Sequence, residues 1–171
     1  KRQNHDAVVR AFLEADLPDS RLKIKLPPGD PYQPRAEDWR IIVNRQRFSD
    51  EEMASWYHSL NVYVSASRGE GWGLQTHEAM ACGRPVITCP YSGTLGFYDR
   101  TCGWDVAYRK VISHGQYGGY HAHWIDPDHG SLVEAMNLAY AHPEECRLKG
   151  ERAAVRVSNL TWQSMANSVV F

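Results

Sequence analysis

Residues 62–89 constrain the fold more than any other part of this chain. They set an apolar run, a glycine-punctuated loop, a helical run and a second apolar run in direct succession. Val62-Tyr63-Val64-Ser65-Ala66 reads as a strand, glycines follow at 69, 71 and 73, and Leu74 to Cys82 reads as a helix. Gly83 is placed to end that helix in the left-handed conformation. Pro85 stands at the mouth of the strand Val86-Ile87-Thr88-Cys89, where its missing N–H does least harm. Strands that alternate with helices call for a parallel sheet covered by helices.

The flanking sequence continues this alternation. Ala7, Val8, Ala11, Phe12 and Ala15 recur at helical spacing, which predicts a helix over His5 to Ala15. Arg21 to Leu26 reads as a short strand, the prolines and glycine of 27–34 as a loop, and Trp39 to Val43 as the next strand. Ser49 with Glu52 forms a capping box that opens a helix from about Asp50 to Ser59. The pattern is irregular from Tyr91 to about Asp126. Residues 131–142 and 144–157 are helical with Pro143 at the junction, and Trp162 to Val170 reads as a last helix. The fold class is α/β, a Rossmann-like parallel sheet flanked by helices, in a chain of 171 residues that suits one domain.

Composition removes several function classes. A net charge of −1 gives no broad electrostatic case for nucleic acid or an anionic membrane. No apolar run approaches the roughly 20 residues needed to span a bilayer. The first residues lead into an amphipathic helix and not into a signal-peptide core. Cys82, Cys89, Cys102 and Cys146 contain no C-x-x-C pair and read as reduced, mostly buried thiols.

The chemistry concentrates at the glycine loop. The free N–H groups of a helix's first turn, with the helix dipole behind them, favour a phosphate. Glu70 and Glu78 flank that position, and a carboxylate can accept from two vicinal hydroxyls of a sugar. Other motifs are absent or fit plainer roles. Gln75 and Thr76 break any G-x-G-x-x-G, and Ala81 stands where a His-Glu-x-x-His helix needs its second histidine. His121 and His123 have no evident third metal ligand. Asp126-Pro127-Asp128 fits a turn and helix N-cap better than a metal motif.

Glu70-Gly71-Trp72-Gly73-Leu74, then Glu78, then Ala79-Met80-Ala81-Cys82-Gly83-Arg84-Pro85-Val86-Ile87 resembles the donor loop of GT-B glycosyltransferases close to family 4. Phe48 to Met53, the Trp56-Tyr57 pair, Asp126 to Leu132 and Leu160-Thr161-Trp162 extend the likeness over most of the chain. The resemblance implies a retaining, metal-independent hexosyltransferase that needs no cofactor and takes a nucleoside diphosphate sugar. It places residues 1–171 as one nucleotide-sugar-binding domain, the C-terminal half, without its first strand and without the N-terminal acceptor domain. Glu70 becomes the catalytic residue, near hydroxyls of the transferred sugar and able to stabilise oxocarbenium-like charge. Glu78 holds the ribose, and Gly71, Trp72, Gly73 and Leu74 form the donor cradle, with Trp72 either stacking on the ligand or wedging the loop into the core. Arg47 and Phe48 lie by the nucleobase. The family's diphosphate-binding lysine falls at Gln3, which leaves Arg2, Lys1 or Arg68 to supply the cation. Residues 107–122, rich in Tyr, Gly and His, form an insertion that lids the donor, contacts a partner or acceptor, or is a decorative loop. The reduced cysteines read as those of a cytoplasmic protein, with any membrane contact made through the missing half. A non-catalytic, regulatory nucleotide-sugar-binding domain is the alternative reading.

Overall fold

A computed structural model describes residues 3–117, 120–161, 163 and 164, with backbone alone for 113–117 and 120–122. The elements run α1 (His5–Ala15), β1 (Leu22–Lys25), β2 (Ile41–Asn44), α2 (Asp50–His58), β3 (Tyr63–Ser65), α3 (Leu74–Ala81) and β4 (Val86–Thr88). Two 3-10 turns follow at Ser92–Gly96 and Arg100–Cys102. Then come β5 (Gly103–Asp105), β6 (Tyr108–Tyr117), β7 (Tyr120–Pro127), α4 (His129–Ala141) and α5 (Pro143–Val157). Of the helix expected at Trp162 to Val170 only Gln163 and Ser164 are described, and both are helical; the rest lies outside the described residues.

The parallel pairing follows from the helical crossovers, as the alternation predicts. β1 pairs with β2, and β3, β4 and β5 pair in that order, every pair parallel. β4 is central: Val86, Ile87 and Thr88 are all buried. Burying a residue such as Ile87 contributes about 1.5–3 kcal/mol. α1 packs on α4 over one face of the sheets, where Val8, Phe12, Ile87 and Leu132 share a core. Tyr57, Met80, Val86 and Phe97 share a second core with Ala153 of α5.

Local signals decide the element ends. The Ser49 hydroxyl accepts from the Glu52 N–H while the Glu52 carboxylate accepts from the Ser49 N–H, which completes the capping box of α2. Gly83, at φ 69°, closes α3, and the next N–H, of Arg84, reaches back to Ala79 O. Asp128 caps α4 by accepting from the Ser131 N–H.

Two features differ from the sequence expectation. The sheet is divided, since among the described residues no ladder joins β1 to β3. The stretch expected to be irregular contains β5 and an antiparallel ribbon, β6 with β7. The ribbon is hard to read from sequence because its register is broken between Ser113 and Tyr117 and its residues do not alternate cleanly.

Candidate functional site

The loop between β3 and α3 is held from below by the turn after β4. Gly73, at φ 89°, is the N-cap of α3, and no side chain caps the helix. The first-turn N–H groups are thus left for a ligand or water. The turn Ser92–Gly96 presses against the loop so closely that a Cβ on Gly93 would sit 2.1 Å from Gly71 O and 2.5 Å from Trp72 Cα. Thr94 fixes that turn: its hydroxyl donates to Tyr91 O at 2.9 Å or Cys89 O at 3.3 Å and accepts from the Tyr91 N–H. Gly71 itself faces open space, with no heavy atom within 4 Å of an added Cβ.

Glu70 and Glu78 line one cavity, together with Gln3, Ser65, Ser67 and Gln75. Glu78 is held from behind. The Tyr57 hydroxyl, on a side chain only 3% exposed, donates to Glu78 Oε2 at 2.8 Å. Tyr63 stands edge-on to Tyr57, with ring centroids 6.0 Å apart. Burial raises the pKa of both tyrosines, and nearby negative charge adds to it: Glu78 at Tyr57, and both Glu70 and Glu78 at Tyr63. Tyr57, Tyr63, Glu70 and Glu78 all line the same cavity. No sequence signal assigns a role to either tyrosine: Tyr57 enters only through the Trp56-Tyr57 pair and Tyr63 only within the strand at 62–66.

The other candidates divide. Trp72 is wedged inward against Phe97, His77 and Gly96, with the Phe97 ring centroid at 5.3 Å. Leu74 is exposed at the start of α3. Arg68 is engaged by Asp126 through a 3.0 Å ion pair, and Arg109 pairs with the other oxygen of the same carboxylate at 2.9 Å. Any ligand at Arg68 competes with that bridge. Phe48 packs on Trp56 and lies under the Lys25 ammonium, 4.5 Å from its ring centre, while Arg47 is exposed beside it. Neither Arg47 nor Phe48 lines the cavity that holds the two glutamates. Arg2 and Lys1 lie outside the described residues. Gln3 sits on the cavity wall, and its amide oxygen is 3.2 Å from His5 Nε2.

The ribbon is rooted at this loop. The Ile125 N–H donates to Arg68 O, and the Trp124 indole lies 3.6 Å from where a Cβ on Gly69 would be. The four cysteines are unpaired, and burial raises the Cys89 thiol to about 12, so it stays protonated near neutral pH. Among the described residues no group of three His, Cys, Asp or Glu side chains converges as a metal site, and no helix is long and apolar enough to cross a membrane.

Comparison with known proteins points the same way as the loop. The profile of the glycosyl transferases group 1 family matches residues 28–136. A D-inositol 3-phosphate glycosyltransferase of Pseudarthrobacter chlorophenolicus is 30% identical over 131 residues, which is 74% of this chain and 26% of that protein. One from Paenarthrobacter aurescens is 28% identical over 127 residues, 74% of this chain and 27% of that protein. The chain spans about a quarter of the length of these relatives. The fold is that of part of the sucrose-phosphate synthase from Thermosynechococcus elongatus, at TM-score 0.73 and 24% identity over 98% of this chain and 40% of that one.

Proposed function

The chain belongs to the glycosyl transferases group 1 family, and from that membership we propose that it forms the donor-binding half of a retaining GT-B glycosyltransferase. The donor is a nucleoside diphosphate sugar, bound without a metal or cofactor. Its diphosphate lies against the uncapped start of α3 and the backbone of Gly71, Gly73 and Leu74. Glu78 accepts hydrogen bonds from the ribose diol. Glu70 faces the transferred sugar and stabilises positive charge as the glycosidic bond breaks. An acceptor, a glycan, lipid or protein, meets the sugar from a separate N-terminal half, and the reaction takes place in the cytoplasm. The observation that carries this reading is that Glu70 and Glu78 line one cavity, with Glu78 held from behind by the buried Tyr57 hydroxyl. The ribbon root beside Arg68 also suits a lid over the sugar end.

Titration calorimetry with UDP-, GDP-, ADP- and dTDP-sugars tests it. One base should bind in preference. Glu78→Ala removes charge-assisted hydrogen bonds of about 1.5–3 kcal/mol, which lowers donor affinity roughly 10- to 100-fold. Glu70→Ala in the intact enzyme should lower transfer by about 100-fold or more with the fold unchanged. Absence of any nucleotide-sugar binding, or wild-type affinity in Glu78→Ala, would overturn the assignment.

A further inference from the structure

We propose that Lys25 selects the base of the nucleotide: its ammonium donates to an exocyclic oxygen, so the site takes uracil, thymine or guanine in preference to adenine. The proposal rests on the donor reading above and adds a specificity-determining residue to it.

Lys25 is out of place as a packing residue. Strands of a parallel sheet covered on both faces are ordinarily apolar runs. β1 reads Leu22-Lys23-Ile24-Lys25, and side chains alternate between its faces. Leu22 and Ile24 pack with Val9 and Leu13 of α1. Lys23 and Lys25 therefore lie on the face toward α2, with the Lys23 ammonium over Trp56 and that of Lys25 over Phe48. Both lysines are half-buried. Desolvating a cation costs free energy, and leucine or methionine would fill either place without the charge.

The two lysines differ in what holds them. Lys23 Nζ donates to Ser59 Oγ at 3.0 Å, a plain tie to the end of α2. Lys25 Nζ donates to Gln46 O at 2.5 Å and to Leu26 O at 3.1 Å. The Gln46 carbonyl is itself placed, because the Gln46 N–H donates to Asn44 Oδ1 at 2.9 Å and turns the chain just after β2. Among the described residues no carboxylate pairs with Lys25. An ammonium has three N–H groups and accepts nothing. Two are spent on carbonyls. The third is left at the carboxyl end of β1, the edge at which ligands of open α/β sheets lie.

Lys25 also joins two parts of the site that are otherwise apart. Neither Arg47 nor Phe48 lines the cavity of Glu70 and Glu78, but Lys25 lines it while touching the loop that carries them. Phe48 packs on Trp56 with ring centroids 5.7 Å apart, and the next residue, Tyr57, holds Glu78. A ribose at Glu78 therefore puts the base on the α2 side of the cavity, the side Lys25 occupies. Hydrogen-bond chemistry then decides the base. Uracil and thymine offer O4 and guanine offers O6, each an acceptor, whereas adenine carries its N6 amino group, a donor, at the matching place. A fixed donor that meets a donor is left unpaired, and sites built on such a group discriminate strongly.

Titration calorimetry of the intact enzyme with UDP, GDP, dTDP and ADP tests the proposal. ADP should bind about 10- to 100-fold more weakly than the best of the other three, the span of one hydrogen bond to a charged group. Lys25→Met should bring that ratio to within about threefold, and Lys25→Arg, which still donates, should keep it. The ratio is read on one protein sample, so a partly unfolded variant does not disguise it. ADP bound as tightly as the best of the others by the parent enzyme overturns the proposal. So does a Lys25→Met variant that keeps the parental ratio, even if all four nucleotides weaken together, since Lys25 then serves the diphosphate or packing. The donor reading is judged apart, by Glu78→Ala: parental affinity in that variant, or no binding of any of the four nucleotides to the parent, overturns both.

Discussion

Replacing Gly93 by alanine tests how the proposed donor loop is supported. Gly93 does not occupy the left-handed region, so alanine fits its backbone conformation. The difficulty is space: the new Cβ would lie 2.1 Å from Gly71 O, and tolerable contacts begin near 3.0 Å. The loop backbone must therefore move by about 0.9 Å. Overpacking of this kind costs about 1–3 kcal/mol. Stiffening the unfolded chain returns about 0.4–1 kcal/mol. The net loss is about 1–2 kcal/mol, which lowers the urea midpoint by roughly 0.5–1 M for a slope near 2 kcal/mol/M. Gly71→Ala is the control, because it faces open space a few ångströms away. Its stability should stay within about 0.5 kcal/mol of the parent or rise slightly. Urea unfolding followed by circular dichroism reads both. Equal midpoints for the two variants would refute the claim that the turn after β4 presses the loop into place.

Two further outcomes follow from the same site. Tyr57→Phe removes the donor behind Glu78 and should weaken nucleotide-sugar binding by about three- to tenfold, since hydrogen bonds to charged groups contribute about 1.5–3 kcal/mol and part of that positions the carboxylate; calorimetry giving the parent affinity would show that Glu78 needs no such support. Burial holds His77 below its ordinary value of 6.5, although Glu78 nearby pulls it upward. The unfolded chain therefore takes up this proton first, so the stability His77 contributes is whole above 6.5 and declines as the pH drops below it, until the folded histidine also protonates. Urea midpoints at about pH 7.5 and about pH 5.5 should fall further apart in the parent than in His77→Phe, and an equal fall in both would count against a desolvated His77.

Much of this architecture is written locally. The capping box at Ser49 and Glu52, the Gly83 stop and the Asp128 cap depend on residues within a few positions, so the sequence determines them. The run from Glu70 to Ile87 carries the glycosyltransferase likeness on contiguous residues for the same reason. Tertiary structure decided everything that joins distant positions. Tyr57 meets Glu78 across 21 residues, and Arg68 meets Asp126 across 58. Trp72 turns inward because Phe97 and His77 offer it an aromatic bed. The division of the sheet is the clearest case. Each strand announces itself through local apolar patterning, but which edges pair depends on long-range registry, and no short stretch of chain encodes that.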